Sequence, residues 1–271
     1  MAQPLSATAA LDALKREGLK VVEYKSTWKT HNRGQRGDGW GPMQGVMLHH
    51  TATSGATAAR VKTSVELCWD GYTGLPGPLC HGVIAPDGTV YLVGWGRANH
   101  AGLGDDDVLR AVINETPIPA DDEANTDGNA RFYGFEAINL GDNTDDWPPA
   151  QVEAMVRASA ALLRAHDWNK DGTGFISVIG HKEWQPGKPD PSGPGLPSMN
   201  TIRSRVAERL KHPASWSPGV PGQATYTVRD GDTLGDIADR FHTTVDKLVA
   251  LNKNLIKDPD EIEVGWKLKL K

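Results

Sequence analysis

The chain has 271 residues, with 29 Lys and Arg against 34 Asp and Glu, so its formal net charge is −5 with histidine neutral. This mild acidic excess argues against a nucleic-acid binder, which needs surplus cations to displace phosphate counterions, and against adsorption to an anionic membrane. Two cysteines cannot staple a chain of this length, so an apolar core must stabilise it, and the length suggests two domains.

The N-terminal segment carries no targeting pattern. Residues 1 to 20 lack a basic stretch followed by an unbroken apolar run, and no later stretch reaches the roughly 18 apolar residues of a membrane span. We therefore expect a protein that is made in the cytoplasm without a signal peptide and does not insert into membranes.

Helix and strand patterns alternate along residues 1 to 211, which we take as the first domain. Short apolar runs predict five strands, at Gly45–His50, His81–Ala85, Thr89–Val93, Gly134–Asn139 and Phe175–Gly180. Apolar stripes at helical spacing predict three helices, at Thr57–Trp69, Ala150–His166 and Ser198–Leu210. Strands that alternate with helices indicate an α/β fold in which helices cover a central sheet.

A change in composition separates the C-terminal part of the chain. Residues 212 to 224 contain three prolines, two glycines and no charged side chain apart from His212, so they favour a linker over a helix or a central strand. Residues 225 to 271 then show a strand, two short amphipathic helices and a closing strand. The sequence therefore predicts a small second domain of βααβ type.

The second domain resembles a LysM module along nearly its whole length. The resemblance is carried by the segments Tyr226–Leu234, Ile237–Ala238, Leu251–Asn252 and Val264–Leu268. It implies binding to the N-acetylglucosamine-containing backbone of peptidoglycan or chitin, through a shallow groove beside the first helix. The residue pattern alone gives only a small αβ module, for which a dimerisation or stability domain is the alternative.

Two histidines end predicted strands, and a carboxylate follows the second of them. His49 ends the run that begins at Gly45, His181 follows Gly180, and Asp190 lies nine residues later. Two imidazoles and one carboxylate, with one position left open, are the ligand set of many catalytic zinc sites. Spacing alone leaves a second interpretation, in which these are buried histidines that hydrogen-bond to backbone carbonyls.

An ordered set of motifs resembles the zinc N-acetylmuramoyl-L-alanine amidases, the catalytic relatives of peptidoglycan recognition proteins. The motifs lie within residues 40 to 205 and are His49–Ala52, Asp87–Val90, Asn99–Gly102, Phe135–Glu136 and Gly180–His181 with Lys188–Asp190. The resemblance implies a mixed central sheet covered by helices and makes His49, His181 and Asp190 the ligands of Zn²⁺. The residues before about Pro42 lie outside it, and the sequence gives them no role.

The same resemblance suggests further roles in the site. It makes Glu136 the catalytic acid/base and Lys188 a cation that stabilises the oxyanion, whereas His50 is not a ligand. Substrate contacts are expected from His100 and from Trp95, which lies in a predicted loop and could stack on a sugar ring. The alternatives are a solvated carboxylate for Glu136, a structural salt bridge for Lys188 and a structural role for His100.

The sequence departs from many relatives at the position before His81. Cys80 stands where those relatives have a tyrosine. A thiol cannot replace a phenol in holding the attacking water, so we expect Glu136 to hold it. Asp190 likewise stands where some relatives have a cysteine ligand. Cys68 and Cys80 could lie close together, but we expect them to be free thiols in a cytoplasmic chain.

One further segment imitates part of a metal loop. Residues 167 to 172 place acidic and polar side chains as in the first half of a calcium-binding loop, but Val178 occupies the position where such loops have a bidentate glutamate. We therefore favour a turn after the preceding helix.

The sequence thus predicts a monomeric peptidoglycan hydrolase that cleaves the amide bond between N-acetylmuramic acid and L-alanine. With no signal peptide expected, a phage endolysin released through a holin-type membrane hole fits best. A non-catalytic peptidoglycan recognition protein and a zinc endopeptidase of the stem peptide are the alternatives. Peptidoglycan is the expected partner, with the muropeptide in the amidase cleft and the glycan on the LysM domain.

Overall fold

The computed structural model describes residues 2–34, 37, 39–142, 144–168, 177–216, 225–241 and 243–270. It divides into two compact units, Met1–Ala214 and Ser215–Lys271. Most of the predicted linker, and the greater part of the calcium-like segment, lie outside the described residues. None of the helices in the described ranges combines the length and the apolar character needed to cross a lipid bilayer.

The strands of the first unit are short, and six of them form one mixed sheet. In chain order the strands are β1 (Val21–Glu23), β2 (Gly45–His50), β3 (Gly71–Tyr72), β4 (Leu75–Pro76), β5 (Gly82–Ile84), β6 (Val90–Leu92), β7 (Leu103–Gly104), β8 (Thr126–Asp127), β9 (Phe132–Ala137) and β10 (Val178–Gly180). The large sheet has the order β1-β6-β5-β9-β2-β10, and only the β5–β6 pair in it is antiparallel.

Helices lie on both faces of this sheet. They are α1 (Ala7–Arg16), α2 (Ala58–Asp70), α3 (Asp106–Ile113), α4 (Pro149–Ala165) and α5 (Met199–Leu210). Because successive strand residues point to opposite faces, Val46 and Leu48 of β2 join the core in which α1, α4 and α5 pack. Met47 points the other way, into a second core formed with α3 and Trp184. The predicted α/β fold with a mixed, helix-covered sheet is confirmed.

The residues before Pro42 complete the first unit. Helix α1 begins after Ser6, whose hydroxyl accepts the N–H of Ala9, and it packs against α4 through its buried face. Strand β1 extends the large sheet by pairing with β6. The buried residues of α1 are Ala10, Leu11, Ala13 and Leu14, so the helical spacing was present in the sequence although it was not used.

A buried ion pair joins the two ends of this unit. Arg209, near the end of α5, donates from Nε to Oε1 of Glu17 at 2.6 Å, and each side chain is 1% exposed. Nη2 of the same guanidinium donates to the carbonyl oxygens of Glu17 and Ala214, both at 3.2 Å. The end of α1 and the last residues of the unit are therefore held by one side chain.

The three predicted helices form within one residue of the expected bounds, and strand β2 spans its predicted residues. Strand β9 begins at Phe132, two residues before its predicted start, and ends at Ala137. Helix α3 was not predicted, although Asp105 caps it and Val108, Ala111 and Val112 are buried at helical spacing. The described part of the last predicted strand is β10.

The second unit has the predicted βααβ order. Its elements are β11 (Thr225–Thr227), α6 (Leu234–Arg240), α7 (Val245–Leu251) and β12 (Lys267–Lys269). The two strands pair in antiparallel register, and Thr233 and Thr244 cap the two helices with their hydroxyl groups. Buried side chains such as Tyr226, Ile237 and Leu248 give this unit its own apolar core. The confirmed fold therefore includes a small βααβ domain.

Candidate active site

The site lies where three parallel strands of the large sheet end. Strands β10, β2 and β9 are neighbours and run in the same direction, so their carboxyl ends meet at one edge. His49 and Glu136 are register partners on β2 and β9, and His181 follows directly after β10. His49 shares a face of the sheet with Met47, the face that α3 covers.

Three ligand atoms converge at this edge. His49 Nδ1 lies 3.0 Å from Asp190 Oδ2 and 3.1 Å from His181 Nδ1, and His181 Nδ1 lies 3.2 Å from the same carboxylate oxygen. Their residues are 1%, 5% and 9% exposed for His49, His181 and Asp190. Lone pairs crowded together in this way repel one another unless a cation or a proton lies among them. Two imidazole nitrogens and one carboxylate oxygen are a donor set that fits Zn²⁺.

The segment from His181 to Asp190 is fixed at both ends. The Glu183 carboxylate accepts the N–H of Gly180 at 3.0 Å and is held by two hydrogen bonds of 2.9 Å from Arg203 of α5. The N–H of Lys182 donates to the carbonyl of Asp190 at 2.7 Å. These contacts bring the carboxylate ligand back to the strand end that carries the second histidine.

The charges within the cluster suit metal binding. Burial lowers the pKa of His49 to about 4, against the opposing effect of its hydrogen bond with Asp190, so the imidazole is neutral at pH 7. Burial raises the pKa of Asp190, but hydrogen bonds with His181 and His49 outweigh it and hold that pKa below its usual range. Neutral imidazoles and an ionised carboxylate are the forms that ligate a metal.

Glu136 reaches the same edge with one oxygen unsatisfied. Its Oε2 is buried and has no hydrogen-bond partner among the described residues. Burial raises the pKa of this carboxyl group well above its ordinary value, the charges of Cys68 and Asp190 add to the rise, and that of Lys188 opposes it. A partly buried carboxylate of raised basicity beside a metal-type cluster is suited to accept and return a proton.

Lys188 lies on the exposed side of the site. Its side chain is exposed, and no ion pair to it occurs within the described part of the chain. It is nevertheless close enough to lower the pKa of both Glu136 and His49 through its charge. The structural salt bridge that the sequence left open is therefore not found in the described ranges.

The two residues that were expected to touch substrate, Trp95 and His100, are both buried. Trp95 is 4% exposed, stacks on Tyr133 at 5.3 Å and donates its indole N–H to the carbonyl of Leu5, so other protein groups cover the ring that was expected to contact sugar. The N-terminal segment that contains Leu5 covers its loop. His100 is 8% exposed and lies against His49, with both ring nitrogens occupied by protein groups. The structural role left open for His100 is the one that its position favours.

The two cysteines and His50 lie around the site. Cys68 and Cys80 are both buried and free, and burial raises the pKa of the Cys80 thiol, with further contributions from Cys68 and the charge of Glu136. His50 points to the opposite face from His49 and accepts the N–H of Ser192 at 3.2 Å. Its ring is thereby used to fix the chain just beyond Asp190.

Sequence reasoning missed two polar residues that support the cluster. Gln185 places its amide oxygen 3.2 Å from Nε2 of His181, four residues earlier. Asn129 accepts the backbone N–H groups of His100 and Ala101, each at 2.8 Å. The spacing of Gln185 within the His181–Asp190 segment was a usable signal, whereas Asn129 reaches its partners across about 30 residues and has no local one.

Comparisons with known proteins agree with this picture at the level of families. A family model described as N-acetylmuramoyl-L-alanine amidase matches residues 39–193, which is more than half of the chain. A model of the LysM domain matches residues 226–271.

One curated relative matches a short part of the chain. The secreted LysM effector ECP6 of Passalora fulva is 48% identical over 48 residues, which are 18% of this chain and 20% of that protein. The chain thus spans about a fifth of the length of this relative.

Solved structures of low identity are similar to about two thirds of the chain. The N-acetylmuramoyl-L-alanine amidase LysC from Clostridium intestinale is 18% identical with a TM-score of 0.44, and the match covers 69% of this chain and 97% of that one. AmpDh3 from Pseudomonas aeruginosa, in complex with an anhydromuramic pentapeptide, is 18% identical with a TM-score of 0.42, over 68% and 65% of the two chains. Drosophila PGRP-LB is 15% identical with a TM-score of 0.40, over 66% and 91%. Such values assign no role to any residue of this chain.

Proposed function

The chain belongs to the N-acetylmuramoyl-L-alanine amidase family, and from this premise we propose that it is a zinc-dependent hydrolase of peptidoglycan. The bond that it cleaves is the amide between the lactyl group of N-acetylmuramic acid and L-alanine of the stem peptide. One observation carries the proposal: a buried cluster of His49, His181 and Asp190 lies at the strand end next to the unsatisfied oxygen of Glu136.

The residues of the cluster would hold zinc through His49 Nδ1, His181 Nδ1 and Asp190. When bound, the metal supplies a Lewis acid that polarises the scissile carbonyl and lowers the pKa of the attacking water. Glu136 takes the proton of that water and returns it to the leaving amine of L-alanine. The exposed ammonium of Lys188 balances the negative charge that develops on the carbonyl oxygen.

The second unit is assigned wall binding. A LysM domain matches residues 226–271, and we assign it the N-acetylglucosamine-containing glycan of peptidoglycan. Its charges nearly cancel, so recognition rests on hydrogen bonds and apolar contacts to sugar rather than on a basic surface. The expected form of the whole chain is a monomer that carries one hydrolase unit and one binding unit.

The biological role that follows is lysis of a bacterial host by a phage. A wall hydrolase and a wall-binding module in one chain suit local and sustained degradation of the wall. Expression inside a bacterial cell should cause lysis only when a separate hole-forming membrane protein is produced as well. Lysis without that protein, or release of the enzyme in intact form by an export system, would contradict this role.

Digestion of purified peptidoglycan tests the chemistry. The zinc-loaded full chain should release new L-alanine amino termini without new reducing sugars, and Glu136→Gln protein serves as the inactive control. New amino termini from other residues of the stem would instead identify an endopeptidase. Binding to the wall with no release of either end group would identify a recognition protein without catalytic activity.

A further inference from the structure

His49 has a second ring nitrogen that faces another histidine. Its Nε2 lies 3.1 Å from Nδ1 of His100, and the two rings are nearly perpendicular, with centroids 5.3 Å apart. The other nitrogen of His100, Nε2, lies 3.1 Å from the carbonyl oxygen of Phe132. A continuous chain of hydrogen bonds therefore runs from a strand backbone through His100 to His49.

The carbonyl group of Phe132 sets the direction of these hydrogen bonds. A carbonyl oxygen can only accept, so neutral His100 must carry its proton on Nε2 and present a lone pair on Nδ1. His49 Nε2 then has to donate, and a neutral imidazole has only one ring proton to give. The one ring proton of His49 is then on Nε2, which leaves Nδ1 as the ligand atom when a metal, rather than a proton, lies between it and Asp190 Oδ2.

The reverse direction would need a charged His100. Both of its nitrogens would then donate, and a positive charge without a carboxylate partner would be buried against the rings of His49 and His81. An unpaired charge in such a place is costly, and the neutral arrangement avoids it.

The surrounding chain fixes the ring of His100 in place. Asn129 Oδ1 accepts the N–H groups of His100 and Ala101 and so holds the loop that carries the ring. Beneath the ring is Gly134 of β9, where a Cβ atom would lie 2.5 Å from Nδ1 of His100. Only a residue without a side chain leaves room for the imidazole at this point of the strand.

We propose that His100 is a positioning residue that accepts the Nε2–H of His49 and so locks His49 in the tautomer whose Nδ1 binds the metal. The inference rests on the proposed zinc site. His100 touches neither the metal nor the substrate, and Asn129 and Gly134 act through it by fixing its ring. Partners of this kind usually change metal affinity by about 10- to 100-fold.

The experiment has two readouts that do not need turnover. Ring ¹⁵N shifts of His100 in zinc-loaded full-length protein should show Nε2 protonated and Nδ1 unprotonated. Zinc affinity, measured by competition with a chelator, should fall about 10- to 100-fold in His100→Phe. His100→Asn, which places an acceptor oxygen near the position of Nδ1, should regain most of the affinity. His166→Phe, at a partly buried ring that stacks on Trp168 outside the site, is the matched control and should bind zinc as the wild type does.

Two results would overturn the inference. One is a His100 ring that carries its proton on Nδ1 in the zinc-loaded wild type, a measurement that decides the question even if His100→Phe does not fold. The other is an unchanged zinc affinity in folded His100→Phe. A wild-type chain that binds no zinc would overturn the proposed function together with this inference, whereas a zinc-binding chain whose His100 carries its proton on Nδ1 would overturn this inference alone.

Discussion

At the scale of single residues, Glu136 is distinguished by what it lacks. Its neighbours on β9 are packed or hydrogen-bonded within the sheet, but its buried Oε2 has no partner among the described residues. A buried acceptor without a donor is destabilising, typically by about 1 to 3 kcal/mol, so its retention indicates a use outside the fold. In the proposed reaction that use is to hold a proton between the water and the leaving amine.

Replacing this carboxylate should separate catalysis from metal binding. Glu136→Gln keeps the shape but removes the base, so kcat should fall about 10²- to 10⁴-fold while zinc remains bound. Release of L-alanine amino termini and zinc content are measured on the same samples. Glu66→Gln, on the exposed side of α2, should behave as the wild type. Full activity in zinc-loaded Glu136→Gln would remove this residue from the mechanism.

His81 makes the stability of the first unit depend on pH. Its Nε2 donates to the carbonyl of Gly96 at 2.8 Å, its Nδ1 accepts the N–H of Gly134 at 2.9 Å, and burial lowers its pKa to about 4. The folded state binds the proton less readily than the unfolded state, whose pKa is about 6.5. The contribution is therefore complete above pH 6.5 and is lost as the pH falls toward 4.

Urea unfolding of the chelator-treated protein should record this loss. The free energy of unfolding should decrease by about 3 kcal/mol for His81 alone between pH 7 and pH 4. In His81→Gln the same pH interval should produce a smaller decrease, because one depressed histidine has been removed. An equal pH slope in the two proteins would show that His81 does not contribute.

Individual residues also show what the sequence could and could not reveal about the site. The prediction that His49, His181 and Asp190 act together rested on strand ends and motif order, and the structure brings their side chains to one point. The burial of Trp95 could not be predicted, because a tryptophan in a loop has the same local sequence whether the loop faces solvent or, as here, is covered by a distant segment that includes Leu5. The expectation that His100 contacts substrate has a similar cause, because its contact with His49 depends on the fold of residues far apart in sequence.

At the scale of elements, the N-terminal helix was not predicted, although its apolar residues lie at helical spacing. Helix α1 lies outside the residues matched by the family model, yet it packs on α4 and helps to close the core over the sheet. The strands that were not predicted, β1, β3, β4, β7 and β8, have only two or three residues each, too few to show an alternating pattern.

A truncation in α1 tests how much this helix contributes. Leu14 is fully buried in the core, so Leu14→Ala should lower the free energy of unfolding by about 2 to 5 kcal/mol, as expected for a cavity at this position. Ile113→Ala, at the 50% exposed end of α3, should change it by less than about 0.5 kcal/mol. Urea unfolding of the full chain measures both. Equal effects of the two substitutions would mean that α1 is not part of the cooperative unit.

At the scale of the whole molecule, the two units have separate apolar cores within the described residues. The core of the first unit draws on residues from Ala10 to Val206, and that of the second on residues from Tyr226 to Leu270. Neither unit contributes a described side chain to the apolar core of the other, so we expect that each core can be disrupted separately. Hydrolysis and wall retention are therefore expected to be separable by substitution.

Leu248→Asp should achieve this separation. It places a charge in the core of the second unit and should unfold that unit, so the full chain should no longer sediment with purified peptidoglycan. Cleavage of a soluble muropeptide should remain close to the wild-type rate. Lys253→Gln, at an exposed position of the same unit, should preserve both properties. Loss of soluble-substrate cleavage in Leu248→Asp would contradict the independence of the two cores.

The ion pair between Arg209 and Glu17 has a mechanical consequence. Ala214 is the last residue of the first unit, and its carbonyl accepts a hydrogen bond from the Arg209 guanidinium. The same guanidinium binds Glu17 at the end of α1. Arg209 and Glu17 thus form a buried clamp between the end of α1 and the end of the unit. A force applied through the second unit should act on this clamp before it acts on the edge of the large sheet. In a pulling experiment through the C-terminus, Arg209→Met should lower the force at which the unit yields, while the strands that carry the site remain shielded until the clamp opens.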